Sequence, residues 1–274
     1  MSDPADYLAA NRALWNEWTP IHAKSAMYDV AGFKAGKSSL HSIELEEVGD
    51  VHGKSLLHLQ CHFGLDTLSW ARRGADVVGV DFSEEAIALA RALSAELKIP
   101  AQFVCSDLSD LSDPSDVSDQ RFDIVFTSYG VLCWLPELKR WGEVIARALK
   151  PGGAFHIVEL HPVLQAFDNG HGVKGLEVAH SYFHAEQPTR WEADGTYADP
   201  VARTTKPSFE WTHSMADILN ALVGAGLSIE YLHEFPYCVY RHFPFMEQGA
   251  DGWWRLPAGS PELPLMFSLK ANRR

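Results

Sequence analysis

The apolar positions of this chain change their period along its length. Between about residues 55 and 160, short apolar runs alternate with stretches at helical spacing. SLLHLQ (55–60) and DVVGVD (76–81) read as strands, and Leu65 to Arg73 between them reads as a helix ended by Gly74. Ser83 predicts a helix cap, with Glu84 and Glu85 in the first turn and Ile87, Ala90, Leu93 and Leu97 on the buried face. Gln102 to Cys105 follows as a strand. Asp123 opens the run DIVFTS, which is mostly β-branched or aromatic and suits a strand buried on both faces. Pro136 then suits the first turn of a helix carrying Trp141, Val144, Ile145, Ala148 and Leu149. Lys150-Pro151-Gly152-Gly153 stops that helix and AFHIVEL resumes a strand. Such βαβα order predicts an α/β fold with a mostly parallel sheet wrapped by helices on both faces.

The flanks break this alternation. Leu8, Leu14, Trp15, Trp18 and Ile21 predict an N-terminal helical stretch, and Tyr28 to Glu47 a partly helical lead-in, so residues 1–50 form a helical cap before a core over 51–162. Ser106 to Gln120 is rich in Ser and Asp and reads as a solvated loop. From 163 to 210, aromatic and His residues sit among Gly, Pro and Asp, which predicts an insertion with some antiparallel strands. Ser214-x-x-Asp217 resembles a capping box before Ile218, Leu219, Leu222 and Val223, with Gly226 closing the helix. LSIEYL (227–232) and LPLMFSLKA (263–271) are the last two strands, so 211–274 completes the same domain.

Composition narrows the partners. With 36 acidic against 23 basic residues the 274-residue chain carries a net charge of −13 and no Lys/Arg cluster, which disfavours nucleic acid and anionic membranes and favours a small molecule. No apolar run is long enough to span a bilayer, and MSDPADYLAANRALW lacks the features of a signal peptide, so a cytoplasmic protein is expected. Cys61, Cys105, Cys133 and Cys238 are far apart and are expected to be small buried hydrophobes. His180 and His184 would share a helix face, but no further ligand stands at matching spacing, and no metal is expected. Oligomeric state is not readable.

The segment from Phe122 to Gly153, together with VVGVDFS, carries a resemblance to class I S-adenosylmethionine-dependent methyltransferases, within the broad group of small-molecule enzymes that includes the ubiquinone and menaquinone C-methyltransferases. It covers Lys54 to Leu160 well and the final helix and strands more loosely. It implies a Rossmann-like, doubly wound seven-stranded sheet whose last strand runs antiparallel between its neighbours, and S-adenosylmethionine as cofactor. Asp81, at the tip of the second strand, is positioned to accept hydrogen bonds from both ribose hydroxyls, with Phe82 on the base. Asp107 resembles the residue that accepts from the adenine amino group, with the Leu108 backbone beside it. The family's first loop runs acidic-x-Gly-x-Gly-x-Gly, whereas this chain reads His58-Leu59-Gln60-Cys61-His62-Phe63-Gly64. Only Gly64 matches, so Gln60 and His62 either reshape the backbone's approach to the methionine half or block it. Asp66 is placed to reach the methionine amino group.

The carboxyl ends of the strands place Ser128, Tyr129, Glu159 and His161 nearest the chemistry. Ser128 is assigned to the cofactor, His161 is the general-base candidate, and Tyr129 walls the methyl group or bonds the acceptor. Trp134 reads as core. The aromatics of HEFPYCVYRHFPFMEQGADGWWRLP are either core or an acceptor pocket, Arg241 could meet an acceptor carboxylate, and 163–210 is the expected acceptor lid. A non-catalytic, methyltransferase-like ligand-binding protein is the alternative reading, with an oxidoreductase of related fold a third.

Overall fold

The computed structural model describes residues 4–111, 121–170 and 172–274. Three helices come first: α1 (Pro4–His22), α2 (Val30–Lys34) and α3 (Ser42–Val48). Strands and helices then alternate: β1 (Ser55–Leu59), α4 (Leu65–Arg72), β2 (Asp76–Asp81), α5 (Glu84–Leu97), β3 (Gln102–Cys105), β4 (Phe122–Ser128), α6 (Lys139–Ala148) and β5 (Leu149–Leu160). The small ladder of β6 (Thr189–Trp191) and β7 (Ser208–Glu210) follows, then α7 (Met215–Gly224) and β8 (Leu227–Phe235). A second ladder of β9 (Glu247–Gln248) and β10 (Trp254–Arg255) precedes β11 (Met266–Arg273).

The main sheet has the order β3-β2-β1-β4-β5-β11-β8. Strands β1 to β5 lie parallel to one another, and β11 is antiparallel to both β5 and β8. This is the sheet that the alternation and the resemblance imply. Alternate residues serve opposite faces: Leu56, Val77, Ile124 and Phe126 pack with Trp70 of α4, while Leu57, Val78, Val125 and Ile157 pack with Trp141 and Ile145 of α6 and Leu222 of α7. The chain departs in opposite directions from the neighbouring β1 and β4, so a crevice opens above their carboxyl ends.

Two boundaries move. Helix α6 begins at Lys139, beyond Pro136, because the Glu137 carboxylate accepts from the N–H groups of Lys139 (3.1 Å) and Arg140 (3.3 Å). Strand β5 begins at Leu149, paired with Phe122 across a bulge, so Lys150 to Gly153 lie inside the strand. Within the expected solvated loop, Leu108 and Leu111 are buried in the main core, and residues 112–120 lie outside the described residues. Cys61 and Cys238 are buried as expected, Cys133 is half-buried, and Cys105 is exposed.

The cap and the 163–210 segment are fastened to each other. The Asn11 side chain donates to the Phe209 carbonyl (2.7 Å) and accepts from the Phe209 N–H (2.9 Å), closing both ends of one amide on one residue's backbone. Tyr7 donates to Gln187 (3.0 Å), and Glu17 accepts from the Thr205 N–H (3.0 Å) and hydroxyl (2.8 Å). No described helix is long and apolar enough to cross a membrane.

Candidate functional site

The loop leaving β1 is the floor of a cavity of about 750 Å³. Gln60, His62 and Gly64 all lie in the left-handed region, with φ of 56°, 50° and 77°. These are the three positions at which the resemblance expects glycine, so the backbone has the handedness of a glycine loop although two of its residues carry side chains. Holding a non-glycine residue there costs about 1–2 kcal/mol. Bonds made by the same residues offset it. Gln60 Nε2 donates to the Val131 carbonyl (2.9 Å), His62 Nε2 pairs with His22 Nδ1 of α1 (3.0 Å), and the His62 N–H donates to Asp81 Oδ2 (2.8 Å). Gly64 itself has no substitute: a Cβ there would stand 2.6 Å from the Phe103 ring. His58, where the family has an acid, is buried against Thr67 (2.8 Å), and burial lowers its pKa to about 4, so it is neutral at pH 7.

Asp81 ends β2 with its carboxylate on the same cavity. It accepts from the N–H groups of His62 and Ser83 (2.9 Å), and burial nevertheless raises its pKa to about 6. Phe82, Asp107 and Leu108 line the wall beside it. Asp66 accepts from the Ser128 hydroxyl at 3.2 Å, joining α4 to the tip of β4. All nine cofactor-side residues expected from the sequence therefore border one cavity.

The roof is aromatic. Trp15 and Trp18 of α1 pack edge-on at 5.4 Å, Trp15 stands 5.0 Å from His62 and 5.3 Å from Trp134, and Tyr197 lies 6.1 Å from Trp18 and 5.9 Å from Tyr240. The Tyr28 and Tyr197 hydroxyls are hydrogen-bonded to each other. Burial holds His22 near a pKa of about 3 and His62 well below its usual value, so both rings are neutral and one donates a single N–H to the other. The Trp15, Trp18 and Tyr197 contributions escaped sequence reading: the helix and the insertion were visible, but nothing in their spacing showed that they meet.

The acceptor-side expectations divide. Tyr129 lines the cavity with a left-handed φ of 41°. His161 also borders it, yet Nδ1 accepts from the Val163 N–H (3.1 Å) and Nε2 meets Glu234 of β8 (2.9 Å), so both ring nitrogens are engaged. Glu159 is spent on backbone: it accepts from the N–H groups of Gly130, Val131 (2.8 Å), Leu132 (3.3 Å) and Leu160 (2.6 Å). Trp134 is buried as expected but also borders the cavity, its Nε1 donating to the Gly130 carbonyl (2.8 Å). The C-terminal aromatics are core: Phe235, Tyr237, Phe243, Phe245, Trp253 and Trp254 cluster with Cys238 and Met266, and of the seven only Tyr240 reaches the cavity. Arg241 donates to the Pro244 carbonyl of its own loop and lies 5.8 Å from the Trp254 ring, outside the cavity lining. His180 and His184 share no helix. His180 packs on Trp191 and His184 stacks on His213, and no metal-binding group of three or more ligands occurs among the described residues.

Residues 56–153 match the family described as methyltransferase domain. Over those residues the chain is similar to a methyltransferase domain, in keeping with the resemblance to class I S-adenosylmethionine-dependent methyltransferases. It is 31% identical over 127 residues to an uncharacterized methyltransferase of Synechocystis, covering 46% of this chain and 56% of that one. It is 32% identical over 109 residues to a ubiquinone biosynthesis O-methyltransferase of Photorhabdus laumondii, covering 40% and 44%, and 30% identical over 166 residues to that of Alkalilimnicola ehrlichii, covering 58% and 64%. The chain spans about half the length of the curated relatives it matches. The fold is shared with an S-adenosylmethionine-dependent methyltransferase from Mesorhizobium loti, at TM-score 0.58 and 23% identity over 82% of this chain and 93% of the other. The residues present fit the cofactor. Gln60 Oε1 and His62 Nδ1 are buried with no partner in the protein, and both residues border the cavity.

Proposed function

We propose that the protein transfers the methyl group of S-adenosylmethionine to a small-molecule acceptor held between the strand tips and the aromatic roof. The observation that carries this reading is the left-handed backbone at Gln60, His62 and Gly64 beside the Asp81 carboxylate.

Asp81 accepts from the ribose hydroxyls, Phe82 packs on the base, and Asp107 with the Leu108 backbone meets the adenine edge. Gln60, His62, Gly64, Asp66 and Ser128 hold the methionine end. When bound, the cofactor supplies an electrophilic methyl group on a sulfonium. The chain's task is then alignment and exclusion of water, which the aromatic roof performs, and a cation is well tolerated beside ring faces. Tyr129 lies at the acceptor end. His161, with both nitrogens engaged, anchors β5 to β8 in this reading and takes no proton. The net charge of −13 supports a small acceptor over nucleic acid, and the likeness to ubiquinone biosynthesis O-methyltransferases supports one that carries a hydroxyl.

S-Adenosylhomocysteine is expected to co-purify, identifiable by mass spectrometry, and to bind the stripped protein in calorimetry. Absence of binding by both S-adenosylmethionine and S-adenosylhomocysteine would sink the proposal. Binding without turnover across hydroxyl, amine and carbon acceptors would favour the non-catalytic alternative.

A further inference from the structure

Glu44, in the first turn of α3, is fully buried, and neither of its carboxyl oxygens closes a well-formed hydrogen bond. Its polar neighbours are the Tyr129 hydroxyl, Asp66 and the backbone at the start of its own helix. The Tyr129 hydroxyl is likewise buried and without a well-formed partner. His41 packs edge-on against the Tyr129 ring at 5.7 Å, and Cys238 approaches from the C-terminal loop. Leaving an ionised carboxyl in such a place is costly, and nothing in the packing of α3 requires one: Ile43 and Val48 fill its core contacts, and Glu47 fastens it to Ser268 (2.7 Å) and His233 (2.9 Å).

We infer that Glu44 is the proton-accepting partner of Tyr129: it holds a proton in the free protein, releases it when a sulfonium is bound nearby, and regains one through the Tyr129 hydroxyl as the methyl group moves. The inference rests on the methyltransferase reading. In the transfer, the acceptor's lone pair forms the bond to carbon and the carbon–sulfur bond breaks with its electron pair left on sulfur. The acceptor's proton passes to the Tyr129 oxygen, and the Tyr129 proton passes to Glu44. A sulfonium and a carboxylate become a neutral thioether and a carboxylic acid, so the buried charge is cancelled at the moment its counter-charge disappears. Burial and the nearby Asp66 raise Glu44 to about 7, where a proton is easily given and regained. The acceptor class follows: the attacking atom must carry both a lone pair and a proton, as a hydroxyl or a neutral primary or secondary amine does and a tertiary amine or thioether does not. Glu44 is a positioning residue acting through Tyr129.

Calorimetry in buffers of different ionisation enthalpy counts the protons exchanged on binding. At pH 7, S-adenosylmethionine is expected to release up to about half a proton per site more than S-adenosylhomocysteine, since the two differ in the sulfonium charge. Glu44→Gln should abolish that difference while both ligands still bind. Should Glu44→Gln not fold, the difference in the unaltered protein is expected to peak below pH 7, between the free and the ligand-bound titration of Glu44, and to fade on either side. Equal proton release by the two ligands, a pH-independent difference, or a difference that survives in Glu44→Gln would overturn the inference. Failure of both ligands to bind would instead overturn the methyltransferase reading and take this inference with it.

Discussion

The floor and the roof of the cavity are built by opposite strategies. On the floor, the Asp81 carboxylate takes the N–H groups of His62 and Ser83, 19 and 2 residues away, and the floor's longer reach, from Gln60 to Val131, spans 71. In the roof the partners are more remote: Asn11 holds Phe209 across 198 positions, and Tyr28 meets Tyr197 across 169. A floor of strand–loop–helix units positions its groups by local geometry, so it forms wherever the units form. The roof exists only after the cap, the insertion and the C-terminal loop have converged, and its specificity belongs to the assembled molecule.

Glu44 gives the sharpest test on the roof side. Its pKa in the fold, about 7, lies above the ordinary 4.5, so its contribution to stability is fully present below about pH 4.5 and is lost as pH rises through 7. The rise corresponds to on the order of 3 kcal/mol at pH 8. Glu44→Gln is therefore expected to be more stable than the parent at pH 8 and little different at pH 5, read from urea midpoints. Buried His22, His58 and His213, all lowered, give the opposite slope in both proteins, so only the difference between the two is diagnostic. Equal midpoints at pH 8 would place Glu44 in water.

On the floor, Asp81→Ala removes charge-assisted ribose contacts of roughly 1.5–3 kcal/mol each and should weaken cofactor binding at least about tenfold in calorimetry. The parent's affinity is expected to fall as pH drops through about 6, where Asp81 gains a proton, and the variant should lose that dependence. Unchanged affinity in a folded variant would remove Asp81 from the site.

The smallest effect belongs to the seam between the two regions. Gly at both 60 and 62 relieves about 1–2 kcal/mol of left-handed strain per residue and gives up the bonds to Val131 and His22, worth about 0.5–1.5 kcal/mol each. Stability is expected to shift by about 1 kcal/mol or less, with cofactor affinity flat or weaker. A large gain in affinity would show that the two side chains obstruct the floor.

The same contrast explains what the sequence made legible. The alternation of strands and helices depends on periodicity and was readable; the reversed last strand followed from the resemblance, and the expected cofactor-side residues were found lining one cavity. The handedness at Gln60 and His62 was not readable, because their side chains argue against it and His22, Asp81 and Val131, from elsewhere in the chain, hold it. Glu44 sits in SIELEEV with Glu46 and Glu47 and looks like one more solvated acid; the register of α3 against Tyr129 buries it. His161 was placed at the right strand tip, but a sequence does not show that Glu234 waits across the sheet.

The joint between Asn11 and Phe209 bears on how such a protein diversifies. The Asn11 amide reads only the peptide backbone of residue 209, so the seat accepts any residue but proline, which lacks the N–H, at the cost of the Tyr7 ring contact at 4.9 Å. The insertion can therefore exchange the residues it lowers over the cavity while remaining docked in one place.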